Sequence, residues 1–147
     1  MNIESLLEMW KKDAQIDEMA LDEASRESAK LHSKYLDLYS KSKLKLKKLE
    51  LDFKPLLRDK FLHYGGKLSQ QELDFKGWEY DPLNGLTVLK GDMDKWYDAD
   101  PIIQEHQLKL AMQEEIVNCL KEIMDNIKWR HQNIKNMIEW RKFTSGI

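Results

Sequence analysis

Two long stretches of this chain repeat small or apolar residues at alternating steps of three and four. That spacing places one continuous seam along a helix, so it leaves few folds other than long packed helices. In the first stretch the seam runs Leu21, Ala24, Ser28, Leu31, Tyr35, Leu38 and Ser42. It then moves one step out of phase and continues through Leu46, Leu49, Phe53, Leu57 and Tyr64. The pattern predicts one helix over about 21–64, or two collinear helices broken near Ser40-Lys41-Ser42. Pro55 removes a backbone donor within it and is expected to kink it. Gly65-Gly66 should end it.

The second stretch opens with Asp100 as an N-cap and Pro101 at the first helical position. Ile103, Leu110, Val117, Leu120, Met124, Ile127, His131, Ile134 and Ile138 keep the rhythm, which predicts a helix over about 101–142. Met112, Ile116, Ile123, Met137 and Trp140 add a second stripe and widen the apolar face. One stripe can pack inside the subunit while the other meets a neighbour, which favours an oligomer; a wide face buried wholly within one subunit is the alternative. Val117, Leu120, Met124, Ile127, Ile134 and Ile138 are the expected contacts.

A short helix from Ile3 to about Asp13 carries Ile3, Leu6, Leu7 and Trp10 at helical spacing. Residues 67–100 read as an irregular acidic connector. Within it, Trp78-Glu79-Tyr80 and Leu86-Thr87-Val88-Leu89 flank an Asn84-Gly85 turn signal, which permits a small β-hairpin. The expected fold is therefore mainly α. At 147 residues it is read as a single domain: a helical part over 1–66, the connector over 67–100 and an assembly helix over 101–147.

Net charge is only −2, but its distribution is uneven. Residues 1–40 carry −4, residues 41–67 carry +6, residues 68–115 carry −7 and residues 116–147 carry +3. Alternating blocks imply either pairing between them or a basic block reserved for an outside polyanion. No apolar run is long enough to span a membrane, and Met1-Asn2-Ile3-Glu4 lacks the basic start of a signal peptide. A cytoplasmic protein without a membrane partner is expected, and the single cysteine, Cys119, suits a reducing compartment.

Parts for catalysis are missing. His32, His63, His106 and His131 fall at no metal-ligand spacing, and Cys119 has no base near it in sequence. Gly66-Lys67 is similar to the end of a phosphate-binding loop, but Phe61 stands where its first glycine is needed. Asp92, Asp94 and Asp98 start like a calcium loop, yet Tyr97 occupies the glycine position and Ile103 replaces the closing Glu. No enzyme activity and no cofactor are expected.

The basic block is the remaining candidate for function. Lys43, Lys47, Lys54 and Arg58 form a stripe on the first long helix, with Lys60 and Lys67 beyond it. An ordinary solvated face, paired with acidic residues, is one reading. A phosphate-tracking surface is the other, with Phe61, His63 and Tyr64 available for base stacking.

At this stretch the sequence resembles the phage UvsY-type recombination mediator family. The resemblance covers most of the chain. It includes Glu4-Ser5-Leu6 through Lys11-Lys12-Asp13, Ile16-Asp17, Ser33-Lys34 with Leu36, and Leu57-Arg58-Asp59-Lys60 leading to Tyr64. It goes on through Thr87-Val88-Leu89, Asp92 and Asp94, Cys119, Ile127-Lys128 and Trp140-Arg141-Lys142-Phe143. The resemblance implies a non-catalytic mediator that binds single-stranded DNA and contacts a phage recombinase and a phage single-strand-binding protein. It also implies a homo-oligomeric ring in which the C-terminal region helps assembly, acting in the cytoplasm of an infected cell. The family's DNA-binding basic pair falls on Arg58 and Lys60, with Asp59 between them where a small residue is usual and Phe61 in place of Leu. Lys43, Lys47, Lys54, Lys67 and Tyr64 complete the expected nucleic-acid surface. A scaffolding assembly that binds no nucleic acid is the alternative.

Overall fold

The computed structural model describes residues 1–146. It contains α1 (Ile3–Asp13), α2 (Leu21–Tyr64), α3 (Gln70–Lys76), α4 (Met93–Ala99) and α5 (Pro101–Thr144), with a 3₁₀ turn at Lys90–Asp92. Among the described residues no helix is long and apolar enough to cross a membrane. The chain divides into two compact units, Met1–Leu46 with Met112–Ile147, and Lys47–Ala111. Both long helices contribute to both units, so the division does not follow the sequence blocks.

α2 runs unbroken past Ser40-Lys41-Ser42 and carries Pro55 inside it. It stops where the two glycines require. Gly66 takes a left-handed φ of 68°, its amide donates to the His63 carbonyl, and the Lys67 amide donates to the Leu62 carbonyl. These two bonds satisfy carbonyls that the helix end leaves open. α1 begins with a reciprocal cap: the Asn2 side chain accepts the Ser5 amide at 2.8 Å, and the Asn2 amide donates to the Ser5 hydroxyl at 3.2 Å.

In the first unit, α1 and the outer parts of α2 and α5 share a core of Leu6, Leu31, Tyr35, Ile116, Leu120, Ile123 and Ile127. Trp10 meets Tyr35 edge-on at 5.4 Å. A second cluster joins Leu21 and Ala24 to Ile134, while the Gln113 side chain donates to the Ser42 carbonyl at 2.9 Å. These pairings run in opposite senses along α2 and α5, so the two segments are antiparallel. Leu21, Ala24, Leu31, Tyr35 and Ser42 of the sequence seam are all buried. Arg130, also buried, donates to the carbonyls of Asp13, Ala14 and Gln15 at the end of α1. The guanidinium thereby caps the helix that packs over it.

Two expectations need correction. Val117, Leu120, Ile127 and Ile134 are buried within the chain itself and Met124 is half-buried; of the six residues assigned to assembly, only Ile138 is exposed. Ile116 and Ile123, from the second stripe, lie in the same core. The middle of both stripes is consumed internally because α1 and α2 each cover part of the wide face. The exposed large apolar groups of this part of α5 are instead Met112, Trp129, Ile138, Trp140 and Phe143.

The β-hairpin does not form; there is no strand among the described residues. The turn itself is present, with Asn84 and Gly85 both at positive φ and the Leu86 amide bonded to the Leu83 carbonyl. Its flanks do not pair. The Asp81 carboxylate accepts the Gly85 amide at 2.9 Å and the Asp81 carbonyl accepts the Asn84 amide, so the segment coils on itself while Leu83 anchors it in the interior. A two-stranded hairpin without a face to pack against is marginal, and Leu86 and Leu89 are exposed. The rest of residues 67–100 is also more regular than a connector. Ser69 caps α3 by accepting the Glu72 amide, and Gly77 closes it in the left-handed region.

Candidate nucleic-acid interface

The basic segment lies on α2, whose continuity presents its side chains in all directions. Lys43 is exposed in the first unit, 5.3 Å from the Tyr39 ring centroid. Lys47, Lys54, Arg58 and Lys67 are exposed in the second unit. Lys60 is not. Its side chain is 4% exposed and its ammonium lies 3.0 Å from the Asp100 carboxylate, itself 3% exposed.

Asp100 joins the end of α2 to the start of α5. One carboxylate oxygen accepts the Tyr64 hydroxyl at 2.7 Å and faces the Lys60 ammonium. The other accepts the amides of Ile102 and Ile103 at 2.8 and 3.1 Å, forming the predicted cap. Burial pushes this carboxyl up, but the Tyr64 hydroxyl, the Ile103 amide and the Lys60 ammonium outweigh it and leave the pKa lowered. Burial, and then the bond to Asp100, push the Tyr64 phenol up. Lys60 also sits 4.0 Å from the Trp78 ring centroid, an attractive position for a cation over an indole.

Arg58 has a different environment. Its side chain is 71% exposed and its guanidinium meets Asp59 at 3.3 Å. Asp59 is held from the other side by Lys76 at 3.0 Å. Lys76, followed by Arg58, pulls the Asp59 carboxyl below its ordinary value, with burial opposing. Asp59 is thus neutralised chiefly by Lys76, which leaves the Arg58 charge available to solvent.

The structure therefore separates the two members of the expected basic pair. At 100° per residue, positions two apart on a helix point to different sides: Arg58 faces out and Lys60 faces in. Lys60 is corrected from a strand-tracking residue to one that builds the interior, and the Tyr64 hydroxyl is likewise spent on Asp100. Lys76 and Trp78 belong to this group but carry no sequence signal for it, because the end of α3 and the turn after it bring them to α2. His63 completes it. Its Nε2 donates to the Glu79 carbonyl at 2.7 Å, its ring lies 5.1 Å from Trp78, and its buried Nδ1 has no hydrogen-bond partner among the described residues.

An exposed arginine over a buried lysine–aspartate pair does not identify a function by itself. Comparison with known proteins gives the family. Residues 9–147 match the family described as recombination, repair and ssDNA binding protein UvsY. The chain belongs to the UvsY family. The recombination protein uvsY of Enterobacteria phage T4 is 27% identical over 146 residues, covering 99% of each chain. A crystal structure of the bacteriophage T4 recombination mediator protein UvsY superposes with a TM-score of 0.82 at 25% identity, covering 99% of this chain and 98% of that one. A second crystal lattice of the same mediator gives a TM-score of 0.80 at 23% identity, covering 98% and 99%. The family expected from Glu4 to Phe143 is thus the family found.

Proposed function

We propose that this chain is a recombination mediator that binds single-stranded DNA and promotes loading of a recombinase onto DNA covered by single-strand-binding protein. The observation that carries the reading is the UvsY family match over residues 9–147. The exposed charge of Arg58, with Lys47, Lys54 and Lys67 in the same unit, supplies phosphate contacts. Lys43, farther up α2, adds another. Self-assembly into a ring, with copies repeating these contacts, would multiply weak single contacts along one strand. The exposed Trp129, Trp140 and Phe143 of α5 support such assembly better than the buried isoleucines do. The setting is the cytoplasm of a phage-infected cell, with the recombinase and the single-strand-binding protein as protein partners. A scaffold without nucleic-acid binding is favoured by the internal pairing of Lys60 with Asp100 and of Arg58 with Asp59.

Counterion release gives the test. Log affinity for a single strand should fall against log salt with a slope of roughly −0.7 per phosphate contact, or about −3.5 if Lys43, Lys47, Lys54, Arg58 and Lys67 each make one. Arg58→Ala should make that slope shallower by about 0.7 while helical content stays the same. An unchanged slope and affinity in the folded variant would remove Arg58 from the interface.

A further inference from the structure

Next to the Lys60–Asp100 pair, the second unit contains a cavity of about 490 Å³, within the size range of small-molecule pockets. Tyr64, Trp78 and Trp96 contribute to its lining, with Tyr64 and Trp96 ring centroids 6.3 Å apart. Lys60, Asp100 and His63 line it too. Two features define what it can hold. Its charged pair is internally neutral, so it offers no net attraction to a phosphate. Its aromatic faces and the polar atoms of the pair suit a flat, polar-edged ring. Contacts also link it to the outside: Arg58 meets Asp59, Asp59 meets Lys76, and Lys76 lies 4.9 Å from the Trp78 ring centroid.

We propose that this cavity takes up one nucleobase of a bound single strand, stacked on its aromatic lining with the polar edge toward the Lys60–Asp100 pair. The proposal rests on the single-strand reading above and extends it from backbone to base. Phosphate contacts alone would track a strand without regard to its bases. A captured base would hold the strand in an unstacked form and make binding depend on the presence of bases.

The test compares a base-bearing oligonucleotide with an abasic strand of equal length and charge, titrated against the full chain at several salt concentrations. The base-bearing strand should bind about tenfold tighter, within the range of base–aromatic stacking. Trp96→Ala removes one wall, and Ala99→Phe fills the cavity while leaving Lys60, Asp100 and Arg58 in place. In each folded variant the preference for bases should shrink several-fold while abasic binding and the salt slope stay constant. If Trp96→Ala does not fold, Ala99→Phe decides alone. Equal affinity for the two strands, or a preference unchanged in the folded variants, overturns the cavity's role and leaves phosphate tracking standing. Binding to neither strand would overturn both readings.

Discussion

Lys60→Ala should act on stability before it acts on DNA, and the size of the effect follows from burial. The ammonium and its Asp100 partner are 4% and 3% exposed, so solvent screens the pair little. Removing one member of a buried pair costs about 3–5 kcal/mol, because the remaining charge stays in the interior. Here the survivor, Asp100, keeps three donors in the Tyr64 hydroxyl and the Ile102 and Ile103 amides, which places the loss near the lower end. About 3 kcal/mol corresponds to a midpoint fall of about 6–12 °C for a chain of this size. Arg58→Ala, at an exposed position, should change stability by less than about 0.5 kcal/mol. Asp100→Ala should exceed Lys60→Ala, since it strands the ammonium and also removes the α5 cap, worth about 1 kcal/mol. Urea titration followed by circular dichroism, with amide exchange across residues 60–106 to read the second unit, measures all three. Below its melting range, Lys60→Ala should keep the full salt slope of strand binding. If Lys60→Ala is as stable as the unaltered chain, or if it reduces the salt slope as Arg58→Ala does, the inward placement of Lys60 is refuted.

Arg130→Ala should release α1 from the first unit, since it removes donors to three carbonyls at that helix end; a loss of about 1.5–3 kcal/mol is expected for hydrogen bonds from a charged group. Faster amide exchange over residues 3–13 than over the rest of the unit would show it, and uniform exchange would contradict it. Acid should weaken the fold through Asp59 and Asp100, whose pKa values lie below the ordinary 3.8 in the folded chain. The unfolded chain then binds more protons, so this stability is present above that ordinary value and lost as pH falls through the lowered folded values. Urea midpoints measured downward from neutral pH should fall below about pH 4, and Asp100→Asn should flatten that decline.

Much of the architecture is written in local spacing. The three-four rhythm from Leu21 to Ser42 marks residues that are buried or half-buried in α2, because helical periodicity alone decides which side chains share a face. Asp100-Pro101 and Gly65-Gly66 mark helix ends through capping chemistry that acts within a few residues. The Ser69-x-x-Glu72 capping pattern and Gly77 bracket α3 in the same way, within a segment whose acidity pointed to an irregular connector.

Tertiary structure decided what each face meets. Spacing showed that α5 had an apolar face wider than one seam, but whether Val117, Leu120, Ile127 and Ile134 would meet another copy or the same chain depended on α1 and α2 arriving from elsewhere in sequence. Charge counting likewise put Arg58 and Lys60 in one basic block. Burial separated them, because Asp100 is 40 residues beyond Lys60 and meets it only after folding. Local sequence fixes which side chains a helix presents, whereas the dielectric around each one and the partner it finds are properties of the folded surroundings.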